Sequence, residues 1–124
     1  MDLAPRRWAD TVVLAPAGRI DHATSEAFQR ALQPFMERCA ASQDHLVLDL
    51  AGLEYISSAG LRVLMLARKQ AKAQAGTLAV AALSPMVKEI FEISRFIGLF
   101  DVYASVRDAL ARISPPALAA FDAA

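Results

Sequence analysis

The sequence predicts an α/β fold, a single domain in which a mixed central β-sheet packs against about four helices. Three observations point there. Short β-branched and aliphatic runs recur along the chain, each followed by a longer segment with apolar residues at helical spacing. The length, 124 residues, holds one domain and suffices for a core without disulfides or metals. No internal repeat or low-complexity linker interrupts the body, so the domain is expected over residues 1–113, with 114–124 a loose tail after Pro115 and Pro116.

Residues 11–15 (TVVLA) are β-branched and apolar and are closed by Pro16 and Gly18, as a strand is; residues 6–9 supply a short partner before it. Asp21, Thr24 and Ser25 offer N-cap oxygens ahead of a helix in which Ala27, Phe28, Ala31, Leu32, Phe35 and Met36 share one face. Pro34 lies inside that pattern and predicts a kink or a restarted turn. Residues 45–50 (HLVLDL) suit a strand buried on both faces, and 51–56 read as a connecting loop. The next helix starts at the paired serines Ser57 and Ser58, carries its basic residues late and stops at Gly76. Residues 77–83 form another central strand. Ser84 as N-cap and Pro85 at the first helical position open a third helix with Val87, Ile90, Phe91 and Ser94 facing inward. A turn and a last short strand follow over 97–103, and Ser105, three residues before Asp108, starts a helix over 105–113.

Composition excludes several functions. Lysine plus arginine and aspartate plus glutamate each number 13, so the chain lacks the cationic surplus on which nucleic-acid affinity rests. The clusters Arg6–Arg7 and Arg68, Lys69 and Lys72 read first as solvated faces and second as partner contacts. Cys39 is the single cysteine, which rules out an intramolecular disulfide and a cysteine metal cage. The first residues lack the apolar stretch of a signal peptide, and the longest apolar runs are too short to cross a bilayer. A soluble, cytoplasmic protein without membrane insertion is expected.

Chemistry concentrates where a buried strand gives way to a helix, in VLDLAGLEYISSAGLRVLMLARK from Val47. A serine at a helix start has two jobs open to it. It can cap the helix, accepting a backbone N–H for about 1 kcal/mol. It can also accept a phosphoryl group, because the free N–H groups and positive dipole end tolerate a phosphate on the folded protein. The added charge, about −1.5 to −2, would meanwhile repel a partner docked on what had been a neutral surface. By physics alone capping is the commoner role.

Here the sequence closely resembles a known family. Leu48-Asp49-Leu50 followed by Tyr55-Ile56-Ser57-Ser58-Ala59-Gly60-Leu61 is similar to the signature of STAS-domain anti-sigma-factor antagonists. Gly18-Arg19-Ile20-Asp21, Leu83-Ser84-Pro85, and Phe91 with Ile93 before Gly98-Leu99 agree in order and spacing. The resemblance implies a non-enzymatic protein that binds an anti-sigma factor, itself a serine kinase of ATP-binding fold, and so frees a sigma factor for transcription. It implies a phosphoacceptor at Ser58, whose modification ends the interaction, and a serine phosphatase that restores the free form. Ser57 stands where the best-known members carry aspartate, and Ala59 where many carry serine or threonine, so Ser57 is the alternative acceptor. A phosphate blocks a partner only from within or beside its footprint, which places the docking surface on Asp21, His22, Thr24, Tyr55, Ile56, Ser57, Ala59, Gly60 and Arg62. STAS domains resembling this one also serve as constitutive subunits of lipid-transport or stress-signalling assemblies, where Ser58 would only cap.

Other chemistries fare worse. A serine hydrolase needs a base beside its nucleophile, and the histidines, His22 and His45, stand outside any Gly-x-Ser-x-Gly elbow. Asp49 and Glu54 lack the Gly-rich loop or histidine that would make them a metal site, and Asp49 is expected to support the loop after its strand. Without a P-loop or Gly-x-Gly-x-x-Gly the chain carries no cofactor of its own, and any nucleotide belongs to the partner. Met65 and Met86 read as core or groove filler, and Trp8 as a partly exposed packing residue.

Overall fold

Alternation along three strands sets the architecture, seen in a computed structural model that describes residues 1–124. In β2 (Thr11–Leu14), Val12 and Leu14 belong to one core and Val13 to another; β4 (His45–Asp49) divides Leu46 and Leu48 from Val47, and β6 (Leu78–Ala81) divides Val80 from Ala81 in the same way. A sheet apolar on both faces needs helices on both. With β1 (Arg6–Trp8) and β7 (Asp101–Tyr103) at the edges, the order is β1-β2-β4-β6-β7, β1 antiparallel and the rest parallel. On the larger core lie α1 (Ser25–Glu37), α2 (Ser58–Ala73) and α3 (Pro85–Ile93), which contribute Phe28, Leu32, Leu64, Val87 and Phe91. The second face is closed by α4 (Val106–Ile113) and α5 (Pro115–Ala123) through Ala109, Leu110 and Ala117. The mixed α/β class is as expected, with five α-helices.

Two segments differ from the sequence-based expectation. Residues 114–124 are not a loose tail. Ser114, 2% exposed, caps α5 by accepting the Ala117 amide at 3.2 Å and donates its hydroxyl to Asp10 at 2.6 Å. A serine cap followed by Pro115 at the first helical position starts a helix as readily as two prolines stop one. Edge-to-face packing of Phe121 on Trp8, 5.3 Å between centroids, and an Arg107–Asp122 ion pair at 2.9 Å hold the helix down. Residues 51–56, read as a loop, contain β5 (Leu53–Ile56), paired parallel with β3 (Gly18–Ile20). Neither piece is long enough to announce itself; each is a strand because the other lies beside it.

Smaller departures have local causes. α1 runs through Pro34 without restarting, because only its last turn, to Glu37, lies beyond. Met86 is 52% exposed and fills nothing. Gly76 is not the left-handed residue after α2; Ala75 takes that conformation, φ 55°. A Cβ on Gly76 would instead lie 2.2 Å from the Cys39 carbonyl oxygen, so glycine lets the end of α2 meet the end of α1. The Cys39 thiol donates to the Thr77 carbonyl at 3.3 Å, and burial pushes it up to about 11, an unreactive thiol.

Arg7, expected on a solvated face, instead clamps Asp44 through two bonds of 2.9 and 3.0 Å, and Arg38 adds a third at 3.2 Å. The Asp44 side chain is 12% exposed, and the Arg7 hydrogen bonds, helped by Arg38, hold its carboxyl below the usual carboxylate range against the opposing pull of burial. A depressed carboxylate stabilises the fold above its unfolded pKa, near 4, and loses that contribution as pH falls through its lower folded value. Asp44→Asn is therefore expected to destabilise by about 1–3 kcal/mol at pH 7. Urea unfolding at pH 7 and at pH 3 should show the gap between wild type and variant closing in acid; an unchanged gap would contradict the clamp.

Candidate functional site

The site begins as an apolar pair. Ile20 ends β3 opposite Ile56 at the end of β5, and both are buried. The chain then turns at once into α2. Ser57 donates its amide to the Ile20 carbonyl at 2.8 Å, adopts an extended backbone, and accepts the Gly60 amide on its hydroxyl at 3.2 Å. Ser57 is the N-cap. Gly60 seats the first turn on the pair: a Cβ there would lie 2.6 Å from Ile56 Cγ1 and 2.8 Å from Ile20 Cγ2. Held this way, α2 presents Ser58 as its first residue, exposed, with a hydroxyl that bonds to nothing in the protein. The amides of Ser58 and Ala59 lie ahead of any intrahelical acceptor, and no acidic residue occupies the first turn, so the positive end of the dipole is uncompensated.

A second wall comes from the turn after β3. The Asp21 carboxylate accepts the amides of Ala23 at 3.0 Å and Thr24 at 3.1 Å, while the Thr24 hydroxyl accepts the Asp21 amide at 2.9 Å. Those bonds, the Thr24 amide foremost, hold the Asp21 carboxyl below the usual carboxylate range. Thr24 occupies the N-cap position of α1 but its hydroxyl turns back to Asp21 and makes no cap bond. The turn is thereby fixed, with His22 exposed on it.

Of the residues expected to form a docking surface, Asp21, Thr24, Tyr55, Ser57 and Ala59 are partly exposed, and His22 and Arg62 fully so. Ile56, 2% exposed, and Gly60 are buried and cannot touch a partner; they hold up those that can. Arg19 belongs with the exposed set although only its motif, and not its contact role, was legible. Its guanidinium lies 4.4 Å over the Tyr55 ring, a consequence of the β3–β5 register that pairs the two residues. Ser84, expected to cap α3, makes no cap bond and donates instead to the Leu53 carbonyl at 2.5 Å, tying α3 to β5. Asp49 accepts the Ala51 amide at 3.1 Å and so supports the loop after its strand.

Catalytic alternatives find no geometry. The one serine–aspartate–histidine group is Ser114, Asp10 and His45, at 2.6 and 3.5 Å, with the carboxylate in the middle. Nucleophilic activation needs the imidazole in the middle, and Ser114 is committed to a cap. No three His, Cys, Asp or Glu side chains converge as metal ligands, and no helix is long and apolar enough to cross a membrane. What the arrangement offers is a fixed, exposed hydroxyl at the positive end of a helix, surrounded by surface.

Residues 5–109 match the STAS domain family. A relative in Bordetella bronchiseptica, named as an anti-sigma factor antagonist, BtrV, is 40% identical over 101 residues, covering 82% of this chain and 84% of its own length. Among solved structures, an anti-sigma factor antagonist of Thermotoga maritima superposes with a TM-score of 0.80 at 17% identity, covering 90% of this chain and 93% of that one. The Bacillus cell fate determinant SpoIIAA in its phosphorylated form gives a TM-score of 0.65 at 19% identity, over 88% and 96%. The last two are likenesses of fold.

The geometry divides the two serines by their effect on stability. Ser57→Ala should cost about 1 kcal/mol, the value of a cap, and Ser58→Ala close to nothing. Gly60→Ala should cost about 1–3 kcal/mol by overpacking the isoleucine pair. Denaturant melts of the three variants check the order; equal losses at Ser57 and Ser58 would refute the assignment of the cap.

Proposed function

This chain belongs to the STAS-domain family, and from that premise we propose that it is an anti-sigma-factor antagonist switched off by phosphorylation at Ser58. One observation carries the choice of residue: the Ser57 hydroxyl is committed to the Gly60 amide, whereas the Ser58 hydroxyl is exposed and bonded to nothing. The name borne by the Bordetella relative, 40% identical, supports the antagonist reading. In its unmodified form the protein docks on an anti-sigma factor in the cytoplasm and frees the sigma factor, catalysing no reaction itself. The footprint takes in Asp21, His22, Thr24, Tyr55, Ser57, Ala59 and Arg62, joined by Arg19. The partner, a serine kinase with its own ATP, transfers the γ-phosphoryl group to the Ser58 oxygen, and a serine phosphatase later removes it.

Two magnitudes make this a switch. A dianion at a helix N-terminus is neutral to favourable for the fold, by up to about 1 kcal/mol. The same dianion at an interface must shed water and meet partner groups placed for a neutral hydroxyl, which costs several kcal/mol. A penalty of about 3 kcal/mol lowers affinity by more than a hundredfold.

Calorimetric titration against the cognate anti-sigma factor tests the proposal. Ser58→Asp should bind at least about a hundredfold more weakly with native circular dichroism and melting temperature, while Ser58→Ala binds like wild type. Tandem mass spectrometry after incubation with partner and ATP should place the phosphate on Ser58. Label on Ser57 would reject Ser58 as the acceptor, and tight binding by the genuine phosphoprotein would reject the switch and leave a constitutive subunit. Within the same footprint, Arg62→Glu should weaken binding without shifting the melting temperature, because Arg62 is exposed and pairs with no carboxylate. Unchanged affinity would remove α2 from the docking surface.

A further inference from the structure

The far end of α2 borders a cleft of about 250 Å³ whose polar lining is Arg68, Lys72, Thr77 and Asp101. Arg68 and Lys72 lie 10 and 14 residues after Ser58, so this cleft is about 15–21 Å along the helix from it. Arg68 is held in place: its Nε donates to the Leu99 carbonyl at 2.5 Å, and its terminal nitrogens find no acceptor in the protein. The Lys72 ammonium and the Asp101 carboxylate form no ion pair, although Arg7, Arg30, Arg38 and Arg107 all do. The Thr77 hydroxyl is likewise uncommitted, since that residue bonds only through its backbone. Leu78, Leu99 and Phe100 supply an apolar wall.

We propose that this cleft binds a small organic monocarboxylate with an apolar body. Two cations and one carboxylate leave the lining with a net charge of one positive, which a monoanion neutralises and a dianion overshoots by one charge beside Asp101. The terminal nitrogens of a guanidinium fit a carboxylate in two-point fashion, and because Arg68 is already anchored, little further side-chain order is lost on binding. The leucine and phenylalanine wall takes the aliphatic or aromatic remainder out of water. At about 250 Å³ the space falls below that of drug-sized sites and suits a small ligand. The competing account makes Arg68 and Lys72 solvated cations that merely offset the negative end of the α2 dipole, and such cations would take any anion alike.

An NMR titration of the full chain with 3-methylbutanoate at constant ionic strength separates these accounts, with inorganic phosphate as the second probe. The site predicts saturable amide shifts confined to residues 68–72, 76–78 and 99–101, much weaker shifts from phosphate, and about tenfold weaker binding of the carboxylate by Lys72→Gln. Lys72 makes no side-chain bond in the protein, so this variant does not put folding at risk. Asp101→Asn should let phosphate bind as well as the carboxylate. Shifts that do not saturate, equal response to phosphate in wild type, or unchanged affinity in Lys72→Gln would each overturn the site.

Discussion

The structure depends on one close approach, the first turn of α2 pressed onto Ile20 and Ile56. The Gly60 Cα reaches the two isoleucines only because it carries no side chain, since a Cβ would stand 2.6 and 2.8 Å from their carbons. That contact requires β3 and β5 to lie side by side, which places Ile20 opposite Ile56 and, one residue back, Arg19 over Tyr55. It also brings the Ser57 amide to the Ile20 carbonyl. The two-stranded ribbon, the start of α2 and the Asp21–Thr24 turn therefore form one rigid unit. Its exposed groups are functional candidates because its buried groups leave them no freedom.

The two ends of α2 both favour an anion, for different reasons. At its start no acidic residue offsets the free amides, and a neutral serine faces solvent there. At its end Lys72 lies in the last turn with Arg68 one turn before, and Gly76 lets the chain fold back against Cys39. An anion is favoured at the first end by backbone dipoles and at the second by side-chain charge. The former attraction is intrinsic to the helix; the latter exists only while the cations stay unpaired.

Most of the main sheet and the first four helices were legible in the sequence, including the short edge strands β1 and β7; the separate β3–β5 ribbon was not. The strands β2, β4 and β6 and the helices α1 to α4 follow from periodicity and capping residues, because each buries enough apolar surface to impose its own pattern. β3 and β5, three and four residues long, satisfy their hydrogen bonds through each other, and no local pattern records a partner about 36 residues away. The sequence misled at 114–124 because Pro115 reads as a stop unless Ser114 is known to cap, and that depends on Asp10, 104 residues distant, holding Ser114 in place. At the site, the motif located both serines. Which hydroxyl stays free was decided by a single bond to Gly60, and a serine–serine pair does not disclose that.

That bond makes the adjacent serines unequal as candidates for the proposed control. Phosphate on Ser57 would still offer oxygens to the Gly60 amide, but it would crowd the bonded cap and set a dianion beside the buried Ile20–Ile56 seat, so modification there would act on the fold as well as on the surface. Such a switch would act by loosening the domain, and its output would vary with temperature and with every other stabilising contact. Phosphate on Ser58 leaves the cap, the seat and the ribbon intact and changes only the charge that the surface presents. On the proposed function, the fold would then be indifferent to the state of the switch while a partner would not. That separation of roles, one hydroxyl for the helix and its neighbour for the surface, is what the extended backbone of Ser57 and the missing side chain of Gly60 together produce.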